Sequence, residues 1–518
     1  MIANVVPITR LRRDTTWWSY LIPNHCKVQV GSLVAVPFRG GKILGIVWGI
    51  EETENKASKS IEEVITSTPL VRAPQRHLIQ KMSSLGVCSL STALFQWLPI
   101  GLRTLPLSAP SRVLLKNYDG WQLTRTSSTL PAQQAIVVPN KRPDASQILE
   151  KRYGQGYSTL WYDQDSKQEL IIWFACAQGQ LKAGLGREKV IFAPWLNLQQ
   201  LTLIEPEDIS YYHEQIPYCS LLVLAQELCT AYKATLTYRT YLPTESGMLL
   251  WHNNLKGNKS KPLSLTITDL KREPIINNDL LKEITETLSR AQKVVILYNA
   301  HDRLSKQPEP LSNQRKLFPG IESISKHLCQ SLGVPILPTS IVLGTRSILS
   351  TPPTNVGLTV VLSLDPLLSS TLFADTLSGI ADLGKLFSYA APCRIQTHSL
   401  DHPLVVALAN NQLTNYLSQL ILTRKNAHLP PFGQQFVCSI PESGNQEKAE
   451  QIYLKISNLL QDSWQVSHPF AGTIRRKQYL HLMVYTNRPQ ALLPGKISSL
   501  LSQLPRPWKI QNNPWYIL

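Results

Sequence analysis

The chain lacks several patterns that would place it in a common functional class. Its eight cysteines form no C-x-x-C pair, so no zinc ribbon is encoded and buried, reduced thiols are expected. No G-x-x-x-x-G-K-S/T pattern occurs, which excludes the usual loop that cradles nucleotide phosphates. No apolar run approaches the ~18 residues of a membrane-spanning helix. Residues 1–14 lack a secretory core, and these absences together predict a cytoplasmic protein.

Acidic residues are scarce relative to basic ones. The 518 residues contain 52 Lys and Arg against 35 Asp and Glu, which gives a net charge of +17. Such a balance favours a polyanionic partner, either nucleic acid or an anionic membrane surface. A generally basic proteome would give the same balance. The length predicts three or four domains rather than a single core.

Residues 28–50 predict a β-hairpin. Alternating residues at 34–37 and an apolar run at 43–47 flank a glycine-containing turn. Two cations on a flexible turn beside an aromatic ring suit a phosphate and a stacked base. An ordinary basic hairpin tip has the same composition. The turn residues are Phe38, Arg39, Gly40, Gly41 and Lys42.

A basic arm precedes the hairpin and is followed by aromatic residues. Aromatic rings beside cations can stack on bases while the cations hold phosphates. The same rings can equally belong to the core, and at least one of the tryptophans is expected there. The arm cations are Arg10, Arg12 and Arg13, and the aromatic residues are Trp17, Trp18 and Tyr20.

Four short motifs follow one another in this part of the chain: YLIP at 20–23, VG at 30–31, VPF at 36–38 and GIV at 45–47. In order and spacing they resemble the amino-terminal DNA-binding domain of the primosomal protein N′ (PriA) family of bacterial replication-restart helicases. Further motifs resemble the family as far as the carboxyl end. The resemblance implies that residues 1–67 form a β-rich domain that receives the 3′-terminal nucleotide of a nascent strand.

The resemblance also implies the residues of the 3′-end pocket. Ser19 stands where the family has an acidic residue, and a hydroxyl offers a base edge fewer acceptors than a carboxylate does. Binding of the terminal base by this pocket is therefore expected to be weaker or different. Trp18 and Tyr20 are expected to stack on that base. The implied pocket residues are Trp18, Ser19, Tyr20, Arg39, Gly40, Gly41 and Lys59, and the expected phosphate contacts are Arg12, Arg13, Arg39, Lys42, Arg475, Arg476 and Lys477.

The remaining pattern predicts a multidomain α/β protein. Short strands alternate with helices, as in parallel sheets with covered faces. One helix is expected to be capped by Asn277 or Asn278 and another to lie near 321–332. The strand candidates are residues 135–139, 158–162, 189–193, 201–205, 234–238, 294–299, 341–344, 358–364 and 393–398.

With the resemblance, these elements predict an order of domains. Two lobes resemble the RecA-like motor lobes of a helicase in degenerate form, and the last segment has the βαββαβ order of a ferredoxin-like α+β domain. The predicted units are the DNA-binding domain at 1–67, a helical pair at 68–105, a linker at 106–133, lobe 1 at 134–262, lobe 2 at 263–400, and a connecting helix with the ferredoxin-like domain at 401–518.

The lobes lack the family's catalytic residues. The acidic motif that would hold magnesium and activate water corresponds to Glu205, Pro206, Glu207 and Asp208, and Pro206 has no carboxylate. We expect this acidic turn to be a solvated strand end. Only SYAAP stands where the family's arginine-rich motif would lie, and the nearby Arg394 is expected to belong to a strand. Residues 301–318 lack the family's zinc-binding cysteines, so neither ATP nor zinc is supported as a cofactor.

These observations predict a DNA-binding protein of replication restart that recognises forked or 3′-ended DNA without hydrolysing ATP. Two interpretations of the basic turn at 475–477 stay open: a turn that faces solvent, and a DNA contact. The expected DNA partner is forked, 3′-ended or single-stranded. The resemblance implies single-strand-binding protein and helicase-loading primosome proteins as further partners, and no membrane partner is expected. Two alternatives remain: an active ATP-dependent 3′-to-5′ helicase, and a protein-interaction scaffold without a DNA role.

Overall fold

The computed structural model describes most of the chain, and the account below concerns those residues. They are 1–52, 59–103, 132–139, 149–151, 153–154, 158–161, 165–212, 216–251, 255–258, 262, 264–299, 320–333, 339–350, 353–370, 372–460, 463–474, 477–489, 491–505 and 507–513. The predicted linker at 106–133 and the segment 301–318 therefore lie almost wholly outside the described residues.

An antiparallel sheet opens the chain, with strand order β2-β1-β4-β3-β5. The predicted hairpin is confirmed as β3 and β4, which pair from Leu33 with Ile46 to Phe38 with Gly41. Arg39 and Gly40 form its turn with φ of 47° and 82°, and positive φ at both central residues is what a tight type I′ hairpin turn requires. The strands are β1 Ile2–Pro7, β2 Trp18–Leu21, β3 Leu33–Phe38, β4 Gly41–Glu51 and β5 Glu63–Val64.

Three helices connect this front sheet to the rest of the molecule. They are α1 Ala73–Leu85, α2 Leu90–Trp97 and α3 Ile100–Arg103. Leu90 and Leu94 on α2 and Leu98 directly after it recur every fourth residue, and all three are buried. One apolar core runs from the front sheet through these helices into the following parallel sheet.

A parallel sheet follows, with strand order β11-β10-β9-β6-β8-β7. Every registered pair in it is parallel, as the alternation of strands and helices predicted. Its strands are β6 Gln133–Val137, β7 Ser158–Trp161, β8 Ala183–Gly186, β9 Leu198–Ile204, β10 Thr235–Pro243 and β11 Leu255–Asn258. Its helices are α4 Ser166–Ala177, α5 Glu188–Ile191, α6 Leu221–Tyr232 and α7 Thr244–Trp251.

The strand predicted at 189–193 is wrong. That segment contains the short helix α5, and the strand is β8, a few residues earlier. A short buried apolar run cannot be assigned to helix or strand by periodicity alone. The strand β8 contains glycines, which are not typical strand residues, so its sequence does not indicate a strand. Glycine is nevertheless required at position 186, because a Cβ there would lie 2.6 Å from the carbonyl oxygen of Trp161.

A second parallel sheet has the order β12-β16-β15-β13-β14. The side chain of Asn277 caps α8 by accepting a 2.8 Å hydrogen bond from the Leu280 N–H, so the first of the two expected caps is confirmed. The strands are β12 Leu265–Asp269, β13 Lys293–Leu297, β14 Ile341–Gly344, β15 Val356–Val361 and β16 Cys393–Thr397. The helices are α8 Asn278–Ser289, α9 Ile321–Leu332, α10 Asp365–Leu368, α11 Phe373–Phe387, α12 Pro403–Ala409 and α13 Leu413–Asn426.

The last sheet is antiparallel, with order β18-β20-β17-β21, and β19 also pairs with β20. Its core contains side chains of both helices and one face of the strands. The elements are β17 Gln434–Pro441, α14 Gln446–Ser457, β18 Trp464–Val466, β19 Phe470–Ile474, β20 Lys477–Thr486, α15 Gly495–Gln503 and β21 Lys509–Asn512. Among all the described helices, none combines the length and apolar character needed to cross a membrane. The predicted domain boundaries stay a prediction.

Candidate functional site

The implied 3′-end pocket lies on the front sheet around β2. The backbone N–H of Leu21 donates a 2.9 Å hydrogen bond to the carbonyl oxygen of Lys59, so the segment that carries Lys59 runs beside β2. The side chain of Lys59 is exposed. Sequence positions 20 and 59 are therefore brought together, as the resemblance implied.

Tyr20 is a core residue in this structure. Its residue exposure is only 4%, and its hydroxyl donates a 3.0 Å hydrogen bond to the carbonyl oxygen of Pro37. Burial raises the pKa of the Tyr20 phenol. The ring face that we expected to stack on a base is thus packed in the sheet, and stacking by Tyr20 would require its displacement.

Ser19 belongs to a hydrogen-bonded chain that ends at a carboxylate. Its hydroxyl donates a 2.9 Å hydrogen bond to Oδ1 of Asn4, and Nδ2 of Asn4 donates a 2.7 Å bond to Oε1 of Glu51. The sequence analysis missed Glu51, which is exposed at the end of β4. A carboxylate thus lies on the same hydrogen-bonded chain as the serine that replaces the family's acid.

Aromatic rings and cations meet at the hairpin turn. The rings of Trp18 and Phe38 pack edge to face at 5.1 Å, and the guanidinium of Arg39 lies 5.2 Å from the Phe38 ring centroid. Trp17, which precedes Trp18 in the sequence, is 43% exposed. Lys42 forms a 2.9 Å ion pair with Glu62, which offsets part of its charge. Gly40 and Gly41 leave the turn open to solvent.

The arm residue Arg13 has a structural role that the sequence did not reveal. Its guanidinium donates hydrogen bonds of 3.3 Å to the carbonyl oxygen of Leu504 and 2.7 Å to that of Trp508. Arg13 therefore ties the arm to the segment that follows α15, in addition to any contact with phosphate. Arg12 is different, because its side chain is 81% exposed and lies 3.8 Å from Asp14.

The structure brings some of the predicted cations together and leaves others apart. Arg12, Arg13 and Arg39 line one cleft of about 870 Å³. Lys477 is exposed at the start of β20 and is not among the residues that line this cleft. Arg475 and Arg476 lie outside the described residues.

The acidic turn after β9 is buried, so our expectation of a solvated strand end is wrong. Residue exposure is 8% for Glu205, 2% for Glu207 and 8% for Asp208, and Pro206 is buried as well. The reason is that α11 and the 3-10 turn Arg346–Ser350 of the second sheet cover the turn with two cations.

These residues form an interlobe ion cluster, by which we mean Glu205, Asp208, Arg346, Asp382 and Lys385. Nζ of Lys385 lies 2.5 Å from Oε2 of Glu205 and 3.5 Å from Oδ1 of Asp382. Arg346 bridges the two sheets, because its Nε lies 2.9 Å from Oδ2 of Asp382 and its Nη2 lies 3.1 Å from Oδ2 of Asp208. Burial alone would lower the pKa of Lys385, but the adjacent carboxylates outweigh burial and hold this pKa above its ordinary value.

Glu207 lies beside the cluster and differs from its acids in protonation state. Burial raises its pKa to about 8, while hydrogen bonds from its own backbone and from Thr240 act in the opposite direction. The hydroxyl of Thr240 donates a 2.8 Å bond to Oε2. Oε1 is buried without a hydrogen-bond partner among the described residues. The carboxyl is therefore mainly protonated at neutral pH.

Little space remains where β9 ends. The cavity bounded by Val138, Glu205, Arg346 and Lys385 has a volume of about 10 Å³. That is at the lower limit for one water molecule. The side chains of Arg346 and Lys385 thus fill the space next to Glu205 at the end of β9.

Arg394 belongs to its strand, as expected. It lies on β16, is 6% exposed, and binds the carboxylate of Glu283 through two nitrogens at 3.0 and 2.7 Å. Its remaining nitrogen donates a 2.9 Å bond to the hydroxyl of Thr268. Its guanidinium therefore links β16 to α8 and β12 of the same sheet unit.

Comparison with known proteins gives a partial match at the front of the chain. Residues 6–99 match the family model of the PriA 3′ DNA-binding domain. In this part the chain is PriA-like. Replication restart protein PriA of Rickettsia conorii is 30% identical over 146 residues, which cover 28% of this chain and 21% of that protein. PriA of Thermotoga maritima is 27% identical over 136 residues, which cover 24% and 18%. The chain thus spans about a fifth of the curated relatives that it matches.

Solved structures give only weak similarity. S. cerevisiae Dbp5 bound to RNA and ADP BeF3 has a TM-score of 0.32 and 8% identity, with coverage of 60% of this chain and 86% of that one. A DEAD box protein from Methanococcus jannaschii has a TM-score of 0.25 and 11% identity, with coverage of 60% and 83%. Scores this low carry no argument about fold or function.

Removing the lysine from the interlobe ion cluster should destabilise the contact between the two sheets. In Lys385→Met, Glu205 keeps its buried charge but loses its partner, and such uncompensated charges cost about 3–5 kcal/mol. Hydrogen exchange of the α11 amides measures this loss. The double variant Glu205→Gln, Lys385→Met should recover part of it. Lys282→Met, on the exposed face of α8, is the control and should change little. Equal protection in both single variants would contradict a stabilising cluster.

Glu207 should make stability fall as pH rises. Its folded pKa of about 8 lies above the ordinary value of 4.5, so the folded chain binds more protons than the unfolded chain between these values. Stability therefore decreases across that window, by up to about 1.4 kcal/mol per pH unit. Glu207→Gln should flatten the profile of unfolding free energy from pH 5 to 8. The exposed control Glu286→Gln should retain the wild-type slope, and a matching slope in both variants would refute the assignment to Glu207.

Proposed function

We propose that the chain is a cytoplasmic DNA-binding protein of replication restart, which recognises forked or 3′-ended DNA and does not hydrolyse ATP. The match of residues 6–99 to the PriA 3′ DNA-binding domain carries this proposal. Because that match covers a minority of the chain, the activity of the whole protein is a proposal as well. In this scheme DNA ends are bound at the front sheet, and the two lobes hold the other units in place.

The front sheet supports DNA contact through its exposed chemistry. Trp18, Phe38 and Arg39 form a mixed aromatic and cationic surface, and Lys59 lies beside β2 with its side chain exposed. Ring faces stack on bases of any sequence, and cations bind the phosphate backbone. The net charge of +17 raises the local concentration of any polyanion.

Features of the two proposed lobes support the proposal that the chain does not hydrolyse ATP. The chain has no phosphate-cradling G-K-S/T loop, and Pro206 replaces one of the acids of the catalytic motif. Lys385 and Arg346 neutralise the acids that remain and fill the space next to them. We propose that both lobes are degenerate helicase-type lobes with a scaffolding role. The strand order of the last sheet supports a ferredoxin-like domain. By family analogy, single-strand-binding protein and helicase-loading proteins are the proposed partners.

The DNA proposal is tested by fluorescence anisotropy with two forks that differ only in a free or blocked 3′ end at the branch. The free end should bind more tightly, and Lys59→Ala should reduce that preference. Each lost phosphate contact should also lower the slope of log affinity against log salt by about one. Lys282→Ala removes the same charge from α8 and is the control. Equal affinity for both forks would remove the end-binding function, and no binding at low salt would favour the scaffold without DNA.

The proposed absence of ATP hydrolysis is tested by measuring ATP turnover in the presence of forked DNA. We expect no turnover above background, since the groups that would bind magnesium phosphate are occupied by Lys385 and Arg346. Hydrolysis that is stimulated by DNA and abolished in Glu207→Gln would overturn this expectation. It would favour an active 3′-to-5′ helicase, with Glu207 as the residue that activates water.

A further inference from the structure

The cleft beside the arm is a second feature with the chemistry of a DNA site. We call it the arginine cleft and define it by Arg10, Arg12, Arg13, Arg39 and residues 502–505. Its volume is about 870 Å³, and the half-buried Tyr218 also lines it. Among the described residues that line this cleft, none is acidic. Four cations without a carboxylate on the walls make the cleft strongly anion-attracting.

The cations of the cleft differ in their availability. Arg12 is 81% exposed, and Arg39 is exposed with its guanidinium over Phe38. Arg10 lies 5.3 Å from the ring centroid of Phe95, which positions it while leaving its residue exposed. A planar guanidinium binds phosphate through two parallel hydrogen bonds. Three cations of the cleft therefore have exposed surface with which to bind phosphate.

Arg13 removes an obstacle to anion binding at the opposite wall. That wall is the carboxyl end of α15, and a helix carboxyl end repels anions because its last carbonyl groups have no partners within the helix. Arg13 donates to the carbonyl oxygen of Leu504, the residue after α15, and to that of Trp508 before β21, so it places a cation beside this end and fixes the arm against the segment that follows it. The cleft is thereby formed before any ligand binds.

The position of the cleft indicates which anion it binds. Arg39 belongs both to the cleft and to the hairpin turn of the implied 3′-end pocket, so the two surfaces are continuous. Five separate segments of chain line the cleft, and its volume of about 870 Å³ suits a short stretch of one strand rather than a duplex, whose major groove alone is about 12 Å wide. We propose that the arginine cleft binds the phosphodiester backbone of single-stranded DNA, with the end of α15 as one wall. This inference rests on the proposed function and adds the carboxyl-terminal sheet unit to its DNA-binding surface.

Gln503 allows a test that changes charge without changing shape. It is exposed, is the last residue of α15, and lines the cleft. Gln503→Glu should weaken binding of a fluorescent single-stranded oligonucleotide about fivefold, because one charge close to a phosphate acts through a water-like medium. Gln503→Lys should tighten binding by a similar factor. Gln451→Glu makes the same isosteric change on exposed α14 and should leave the affinity within about twofold.

The outcomes separate the cleft from the proposed function. If Gln503→Glu and Gln451→Glu bind alike while Lys59→Ala still weakens binding, the cleft inference is overturned and the DNA-binding function stands. If no variant binds DNA, the proposed function fails first. An equal response with a blunt duplex of the same length would overturn the single-strand assignment. Matching melting temperatures for the two glutamate variants show that any difference arises from binding.

Discussion

The contact between the two parallel sheets depends on Lys385. Burying carboxylates beside a sheet end is very unfavourable unless cations lie within ion-pair distance. Lys385 and Arg346 supply those cations from the second sheet, and Glu205 and Asp208 receive them at the end of the first. Glu205 has a positive φ of 55°, which is uncommon for a residue with a side chain and indicates that the turn is held by its surroundings. If the second parallel sheet moved away from the first, these charges would lose their partners. The cluster therefore favours one arrangement of the two sheets.

The two halves of the molecule handle polar groups in opposite ways. At the contact between the two parallel sheets, the acids that follow β9 are paired with internal cations. On the front sheet, the polar chain from Ser19 through Asn4 ends at a carboxylate that is exposed to solvent. Aromatic rings also divide there, because Tyr20 is packed while Trp17 is accessible. Acids at the contact between the parallel sheets are thus buried with cations, whereas Glu51 and Trp17 in the front part of the chain stay exposed.

Patterns within a few residues predicted the features that depend on neighbouring residues. They did not predict contacts between residues that are far apart in the sequence. The hairpin at 33–51 and the Asn277 cap follow from residues within a few positions of each other, and both are present. The run at 189–193 was misassigned because apolar composition alone does not distinguish a buried helix from a strand. The burial of Glu205 depends on Lys385, which lies 180 residues further along the chain. No pattern around Glu205 indicates that partner.

The bonds from Arg13 have a consequence for how the chain is made. They join positions 491 and 495 residues apart. At translation rates of about 5–20 residues per second, the arm leaves the ribosome roughly 25–100 s before its carbonyl partners exist. During that interval the front sheet can fold on local contacts, but one wall of the cleft is missing. Nascent chains interrupted before α15 would therefore present the front sheet without the cleft, and synthesis of residues 495–508 sets when both walls first exist together.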